Sequence, residues 1–407
     1  MIRGTFLISL LMCGYSLPAG REEKSALFEV PEIIISNGYQ AERHHVITPD
    51  GYILEMHRIP FGRHQTTSEV RRPAVFLMHG LLSASNSYIA LGPEYSISYN
   101  LADAGFDVWM GNARGNRLSR RHTTLDPDVD KSEFFNFSWE EIGMIDVAAM
   151  IDYVLEFTGE EKLHYVGHSQ GGTSFLVLAS MRPEYNEKLS SVNLLAGVGY
   201  MNHFPNKNLG ATALLTDVIY VAALAVGFVE VYPPDFDRSL PWGKTAGTDR
   251  CTGNLETQYM CDLIGVRHLV RENESVSGTS DFLDIFEGHD IGGAALKQIA
   301  HYGQNIRDKA FRRWNYGLIQ NLRIYGKVAP PAYDLSLITA NVTMHYTVND
   351  ILLDERDVLA MAADMPNTVV RKVARDTFLH EDFVLAKDVK ELVTDFMIES
   401  MLQIEHM

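Results

Sequence analysis

Cysteine, basic residues and long apolar runs are all scarce in this sequence. The 407 residues include 3 cysteines, and 35 Lys and Arg stand against 52 Asp and Glu, which gives a net charge of -17. Nucleic-acid binding relies on clustered Lys and Arg at the phosphates, so this balance argues against a nucleic-acid partner. The acidity also fits a protein in which it only aids solubility.

Motifs for cofactors are missing as well. No Cys/His cluster has the spacing of metal ligands, and no glycine-rich loop has the pattern that cradles a phosphate. Neither a metal nor any other cofactor is therefore expected. The apolar runs Thr5–Leu17 and Val218–Val229 fall short of the roughly 20 residues that a membrane-spanning helix needs, so no transmembrane segment is predicted.

The first residues have the pattern of a targeting segment. Arg3 precedes the apolar run Thr5–Leu17, and the small residues Ala19 and Gly20 follow it. This succession is typical of a cleaved signal peptide, with a buried N-terminal helix as the alternative. We therefore predict a signal peptide over residues 1–20 and a protein that is secreted or delivered to the lysosome.

Two further features fit a secretory compartment. Cys13 would leave with the signal peptide, so the mature chain keeps Cys251 and Cys261. A pair this close in sequence is compatible with a disulfide that closes a short loop, or with two buried free thiols. Asn-X-Ser/Thr sequons predict surface glycans at Asn136, Asn273 and Asn341.

Short apolar strands alternate with helical patterns along much of the chain. The segment Val46–Ile59 predicts a hairpin that turns at Pro49-Asp50-Gly51, and Ile142–Phe157 has a helical pattern. Continuous apolar runs predict buried strands at Ala74–Met78, Phe106–Met110, Leu163–Val166, Val192–Ala196, Val342–Val348 and, more weakly, Thr368–Val373. This alternation is typical of an α/β protein with a mainly parallel sheet flanked by helices.

The segment Gly167-His168-Ser169-Gln170-Gly171 matches the pattern G-x-S-x-G. It follows the predicted strand Leu163–Val166 directly and precedes the helical stretch Thr173–Ala179. In a strand–turn–helix of this kind the serine occupies a strained elbow with its hydroxyl exposed above the sheet. Ser169 is therefore the predicted nucleophile, with a non-catalytic glycine-rich loop as the alternative.

A serine nucleophile needs a base, and the base needs a carboxylate that sets its tautomer. In α/β-hydrolases these residues follow one another in the order serine, acid, histidine. Seven histidines follow Ser169, and His380 lies in the loop directly after the last predicted strand. Asp350 follows the strand before it, whereas Asp354 and Asp357 lie where a helix begins and Asp often serves as a cap. We predict Asp350 as the acid and His380 as the base.

The oxyanion of the tetrahedral intermediate requires two backbone donors. One is expected at Gln170, directly after the nucleophile, and the other in the loop after the third strand, at Leu81. His79 in that loop precedes the serine, so we interpret it as a brace for the loop rather than as the base.

Several of these stretches together resemble the animal acid lipase family, which comprises gastric and lysosomal acid lipases and their insect relatives. The matching stretches are TPDGYILEMHRIP, FLMHGLLSAS, GFDVWMGNARGN, YVGHSQGG, PPAYDL, NDILLDERDV and FLHEDF. They are spread over nearly the whole mature chain apart from one insertion. The resemblance implies an α/β-hydrolase fold, the triad Ser169, Asp350 and His380, and the oxyanion donors Leu81 and Gln170.

The insertion is expected to form a mostly helical cap with a mobile lid. The predicted organisation is a first part of the hydrolase core over 21–203, the cap over 204–325 and the second part of the core over 326–407. Within the cap, Val218–Val229 is either a helix packed inside the insertion or one that lines an acyl pocket or contacts lipid. The resemblance assigns Cys251 and Cys261 to a disulfide, whereas the stretch DIFEGHDIGGAALKQ departs from the family pattern.

The family hydrolyses triacylglycerols and, in some members, sterol esters. The resemblance therefore implies a lipase that acts on neutral lipid esters and contacts a lipid droplet or emulsion surface transiently. Two alternatives are a carboxylesterase for small soluble esters and a catalytically silent lipid-binding protein on the same fold.

Overall fold

A computed structural model describes residues 29–65, 71–233 and 292–406. The predicted signal peptide, both cysteines of the predicted disulfide and the sequon at Asn273 lie outside the described residues. The account below concerns the three described ranges.

A sheet of eight strands is the centre of the fold, in the spatial order β1-β2-β4-β3-β5-β6-β9-β10. From β4 to β10 all neighbouring strands are parallel, and β2 pairs antiparallel with both β1 and β4. A small antiparallel pair, β7 and β8, lies apart from it. The strands are β1 Glu42–Ile47, β2 Ile53–Ile59, β3 Ala74–Met78, β4 Asp107–Gly111, β5 Leu163–His168, β6 Leu189–Leu195, β7 Glu230–Val231, β8 Ala294–Ala295, β9 Val342–Tyr346 and β10 Thr368–Lys372.

The strand and hairpin predictions are confirmed, with differences at the ends. Every residue of β3 and β4 is buried, as expected of strands covered on both faces. The strand predicted at Val192–Ala196 begins earlier, at Leu189, and ends at Leu195. Ala196 cannot continue it, because its φ of 49° lies outside the extended region.

The flanking helices follow the strands in the chain. The pattern predicted at Ile142–Phe157 is helical throughout, but its first part, Ile142–Val147, forms wider π turns. The α-helices are α1 Val30–Ser36, α2 Gly92–Tyr95, α3 Ile97–Asp103, α4 Lys131–Phe134, α5 Trp139–Glu141, α6 Ala148–Thr158, α7 Gln170–Met181, α8 Lys207–Ala213, α9 Thr216–Ala225, α10 Leu296–Asp308, α11 Leu318–Tyr325, α12 Glu355–Asp364, α13 Asp382–Leu385 and α14 Asp395–Glu405.

The order of the strands places the functional region. From β3 the chain moves to β4 on one side of the sheet, and it then returns to place β5 on the other side of β3. In open parallel sheets such a reversal leaves a crevice at the carboxyl ends of the two diverging strands. The loop after β3 and the turn after β5 therefore meet there.

The range 204–325, predicted as a cap, contributes no strand to the main sheet in its described part. It holds α8 to α11 and the small pair of β7 and β8. The boundaries of the cap stay a prediction. Among the described residues no single helix is long and apolar enough to cross a membrane, and α8 and α9 reach that length and composition only together, across a bend of 66°.

Candidate active site

Ser169 occupies a strained turn between β5 and α7. Its φ of 51° and ψ of -113° lie in a region that L-residues rarely adopt. The turn is so tight that a Cβ at Gly171 would lie 2.0 Å from the Met78 carbonyl oxygen. Only glycine fits at that position, which explains the glycine after the nucleophile motif's glutamine.

Asp350 and His380 come from two different loops and meet through one hydrogen bond. His380 Nδ1 lies 2.7 Å from Asp350 Oδ2, and both side chains are buried. The other carboxylate oxygen of Asp350 accepts from the backbone N–H groups of Leu352, at 2.7 Å, and Leu353, at 3.0 Å. His380 Nε2 is buried and has no hydrogen-bond partner among the described residues. One ring nitrogen of His380 is thus held by Asp350, and the other is left without a partner among the described residues.

Several contacts hold the histidine loop against its neighbours. The Thr347 hydroxyl donates to the Phe378 carbonyl at 2.6 Å, which ties the acid loop to the histidine loop. Arg375 forms an ion pair with Asp382. Ser169 is joined to the same loop through its neighbour, because the His168 ring donates from Nε2 to the His380 carbonyl at 3.0 Å. The turn that bears Ser169 and the loop that bears His380 are therefore held in one network.

Three buried histidines lie around Ser169, and their surroundings separate their roles. Burial lowers the pKa of His79 to about 4 and that of His168 to about 3, so both rings stay neutral. Burial also acts against the charged form of His380, but the Asp350 carboxylate outweighs it and raises the pKa of His380 above its usual value. His380 is thus the histidine whose surroundings stabilise an imidazolium.

The loop after β3 lies directly against the nucleophile. A side chain at Gly80 would come within 3.1 Å of the Ser169 Cβ. The His79 ring donates from Nδ1 to the Gly80 carbonyl at 2.7 Å and accepts from the Ala113 N–H at 3.1 Å. With both nitrogens engaged His79 braces the loop, as predicted. Leu81 lies next to Gly80, and Leu82 has a positive φ of 62°.

The rival acids have partners of their own. Asp354 caps α12 by accepting from the Arg356 N–H at 2.9 Å. Asp357 is buried and pairs with His203 at 2.8 Å. Asp354 thus caps the helix, as its position in the sequence suggests, whereas the Asp357 carboxylate is engaged by His203 instead.

The sequence does not single out every residue at the site. His168 occupies a variable position of the serine motif, and Gln298 is the last residue of the stretch DIFEGHDIGGAALKQ. Gln298 Oε1 accepts from the Gln170 side-chain amide at 2.8 Å. No periodicity or motif predicts such a contact, because it joins residues far apart in the chain.

Two of the three sequons lie within the described residues. Asn136 and Asn341 are both exposed, and their glycosylation stays a prediction. The described residues contain no group of three or more His, Cys, Asp or Glu side chains that could hold a metal ion.

The chain has known counterparts. A family model described as a partial alpha/beta-hydrolase lipase region matches residues 30–92, and one described as alpha/beta hydrolase fold matches residues 73–234. A solved structure, the DcsB complex with its substrate analogue, matches with a TM-score of 0.51 at 14% identity, covering 89% of this chain and 99% of that one. The likeness to DcsB shows the fold alone.

Relatives extend the match over the full length. Lipase 1 of Drosophila melanogaster is 39% identical, covering 93% of this chain and 80% of the relative. Lipase 3 of the same organism is 36% identical over 100% of both chains. Gastric triacylglycerol lipase of Rattus norvegicus is 32% identical, covering 94% of each.

Fold and relatives together define a carboxylic ester hydrolase of the α/β-hydrolase fold, and more narrowly a lipase. The chain belongs to the animal acid lipase family, beside the insect lipases and the gastric lipases.

Proposed function

We propose that this lipase hydrolyses neutral lipid esters, triacylglycerols or sterol esters, through an acyl-enzyme at Ser169. The observation that carries the proposal is the Asp350–His380 pair, which is buried and joined through His168 to the strained turn that bears Ser169. The named activity of the gastric relative supports glycerides as the substrate class.

The proposed reaction runs in two halves. Ser169 Oγ attacks the ester carbonyl carbon while His380 Nε2 takes its proton, and the negative charge goes to the carbonyl oxygen. The backbone N–H groups of Leu81 and Gln170 are the proposed donors to that oxyanion. The intermediate collapses as His380 returns the proton to the leaving alcohol. Water, activated by His380 in the same way, then cleaves the acyl-enzyme and releases the fatty acid.

A substrate panel tests this proposal. The protein is incubated with an emulsified long-chain triacylglycerol, a sterol ester and a soluble short-chain ester, and with a fluorophosphonate probe. We expect labelling at Ser169 and a rate that rises when the ester passes from dissolved to emulsified. A rate that stays flat through that transition would indicate a soluble carboxylesterase, and absence of labelling would indicate a silent lipid-binding protein.

The apolar residues of α9 support contact with a lipid surface. Val218, Val221 and Leu224 follow one another at the spacing of one helix face, and they are 68%, 63% and 41% exposed. The residues of α9 that are buried are Thr216 and Ala223. The helix thus buries small or polar residues and exposes large apolar ones, the reverse of a core helix.

A second apolar face lies on α11. Leu318, Ile319 and Leu322 are exposed, whereas the buried residue of this helix is Asn321. The Asn321 amide donates to the Val328 carbonyl and to the Asn315 side chain, both at 2.8 Å. These polar contacts hold the helix, and its apolar residues are left facing outward.

The two helices are linked by aromatic rings. Tyr220 of α9 lies edge-on to Trp314 at 5.2 Å, and Trp314 lies 6.4 Å from Tyr316, just before α11. Because the substrate class is an uncharged lipid, we propose that α9 and α11 together dock on a neutral lipid surface such as a droplet.

Polar substitutions on these faces test the lipid contact. We expect V218Q together with V221Q, and L318Q together with L322Q, each to lower hydrolysis of emulsified triacylglycerol about tenfold. Full burial of a Val or Leu side chain away from water is favourable by roughly 1.5–3 kcal/mol. These side chains would be only partly buried in lipid, so the loss of binding free energy is smaller. Rates on a soluble ester should stay unchanged.

L359Q is the matched control, since Leu359 is 45% exposed on α12, outside the two faces. It should leave both rates as in the wild type. Equal rates on the emulsion for all variants would contradict the lipid contact. A wild-type dimer in sedimentation that dissociates in V218Q/V221Q would instead assign the α9 face to a second copy.

The predicted signal peptide and sequons support the secretory pathway, and we propose that the protein acts outside the cell or in the lysosome. Mass spectrometry of the protein purified from its expressing tissue would test cleavage near residue 20 and glycans at Asn136 and Asn341.

A further inference from the structure

The two proposed oxyanion donors belong to separate parts of the chain. Leu81 lies in the loop after β3, and Gln170 begins α7 after β5. An oxyanion hole acts only when both N–H groups lie about 2.7–3.1 Å from the oxygen that becomes charged. Their separation therefore has to be held by something that contacts both segments.

Residues 292–298 contact both the loop after β3 and the start of α7. The first contact is made by Gly292. The Gly292 N–H donates to the Leu82 carbonyl at 2.6 Å, and the Gly292 carbonyl accepts from the Arg117 N–H at 2.6 Å. The Asn116 amide donates to the Ser83 carbonyl at 2.7 Å. Gly292 is thus inserted between the loop after β3 and the loop around Arg117, and it is bonded to both.

The fit at this point requires glycine. A Cβ on residue 292 would lie 2.1 Å from the Ser83 carbonyl oxygen and 2.4 Å from the Asn116 side-chain amide. Neither is a flexible chain end, because Asn116 is held by its bond to Ser83. Any side chain at position 292 must therefore displace the loop that carries Leu81 and Leu82.

At its other end the segment is hydrogen-bonded to α7, the helix that follows Ser169. Gln298 in the first turn of α10 accepts from the Gln170 side-chain amide at 2.8 Å, and both residues are buried. One turn further on, the Tyr302 and Thr173 hydroxyls lie 2.9 Å apart. Gln170 Oε1 has no hydrogen-bond partner among the described residues, so Gln298 provides the bond that orients this side chain.

We propose that residues 292–298 form a brace that sets the separation of the two oxyanion donors, with Gly292 and Gln298 as its positioning residues. The proposal rests on the proposed function, since it concerns the same site. The brace belongs to the range that the sequence predicts as the cap.

The brace is expected to stabilise the transition state without changing the affinity for the substrate. The ester oxygen is uncharged in the bound substrate and becomes an anion only as Ser169 attacks. A donor displaced by a fraction of an ångström therefore lowers kcat, whereas KM stays near its original value. A merely structural role would lower stability and leave kcat per folded molecule unchanged.

The first test replaces Gln298 by methionine, which keeps the volume and removes the acceptor. On a soluble p-nitrophenyl ester we expect kcat to fall about tenfold, with KM within twofold. This is less than the 10²- to 10³-fold effect that follows from loss of a whole oxyanion donor. The rate of inactivation by a fluorophosphonate, whose phosphoryl oxygen occupies the oxyanion hole, should fall by the same factor.

Q304M is the matched control on the same helix. Gln304 is buried and bonds to Asp217 at 2.8 Å and to the Asn315 carbonyl at 3.0 Å, both outside the active site. Its loss should lower the melting temperature at least as much as Q298M does. The kcat of Q304M on the soluble ester should remain that of the wild type.

A double-variant cycle tests whether Gln298 acts through Gln170. The substitution Q170M removes the side-chain amide but leaves the backbone N–H that is the proposed donor. If the two amides act as a pair, Q170M should reproduce the loss in Q298M, and the double variant should be no worse than either. Independent losses that multiply in the double variant would overturn the coupling.

G292A tests the other end of the brace. We expect a fall in kcat of about tenfold or more, again with KM retained. G303A is its control, because a Cβ at Gly303 would also clash, at 2.4 Å from Thr216 Oγ1, but against α9. G303A should lower stability without changing kcat on the soluble ester.

The outcomes separate this proposal from the proposed function. If the wild type does not label with the fluorophosphonate, the nucleophile assignment fails. If the wild type labels normally and both Q298M and G292A label at the same rate, the brace is wrong and the nucleophile stands. If kcat falls equally in Q298M and Q304M, the effect is one of folding and the brace is also wrong.

Discussion

Replacement of Ser169 by alanine is expected to abolish ester hydrolysis. Without its Oγ no acyl-enzyme forms, and loss of a catalytic serine lowers kcat on the order of 10⁶-fold. The substitution should not unfold the protein, because the hydroxyl makes no hydrogen bond to the described residues and a strained nucleophile position contributes no stability. The measurement is hydrolysis of soluble and emulsified esters by S169A at equal concentrations of folded protein.

S174A is the matched control for this loss. Ser174 lies on the same helix and is buried, and its hydroxyl has no hydrogen-bond partner among the described residues. It should retain wild-type activity and wild-type fluorophosphonate labelling. Hydrolysis by S169A at the wild-type rate would contradict the mechanism and return the site to a lipid-binding interpretation.

Substitution of Asp350 by asparagine is expected to lower kcat by about 10³- to 10⁴-fold. The new Oδ1 can still accept from Leu352 and Leu353, so the loop should keep its shape. The amide then faces His380 Nδ1 and donates to it, which forces the proton onto Nε2. In that tautomer His380 cannot accept the proton of Ser169. The fall in kcat on a soluble ester, with retained KM, measures this effect.

The same substitution should shift the pH profile. His380 acts as a base only when neutral, so kcat/KM rises with pH through the pKa of His380. The Asp350 carboxylate raises that pKa, whereas burial lowers it. With the carboxylate gone, burial dominates and the pKa falls, so the acidic limb of the residual activity should move to lower pH.

Two further titratable groups near His380 have shifted pKa values. His168 remains neutral because burial lowers its pKa, and burial raises the pKa of Glu381. D354N is the matched control, because Asp354 caps α12 and asparagine caps a helix equally well. A profile for D350N that is unchanged, or that moves to higher pH, would show that the carboxylate does not control the base.

Much of the fold follows from local patterns in the sequence. Ala74–Met78 is uniformly apolar, and a strand of that kind is stable only when covered on both faces. The strand ends were less predictable, because an end can depend on the backbone angle of one residue, as at Ala196. The residue type gives no sign of such an angle.

The nature of the α9 region also needed the tertiary structure. Its apolar run alone could not distinguish a helix packed inside the cap from one that faces lipid, since both are equally apolar. The exposed valines, and the buried threonine and alanine, support the lipid contact that we propose. The helix moreover ends at Ala225, so the run Val218–Val229 is not one continuous helix.

The sequence by itself determined the class of enzyme and the residues that we propose as its triad. A serine between glycines follows an apolar strand, and Asp350 and His380 come later in the chain in that order. The order of the strands limits which loops can meet, and it therefore limits the candidates for the acid and the base. The tertiary structure alone decided what holds these groups in place. The bonds of His168 to the His380 loop, of Gly292 to the loop after β3 and of Gln298 to Gln170 join residues remote in sequence, and such distances are set only when the sheet and the helices pack.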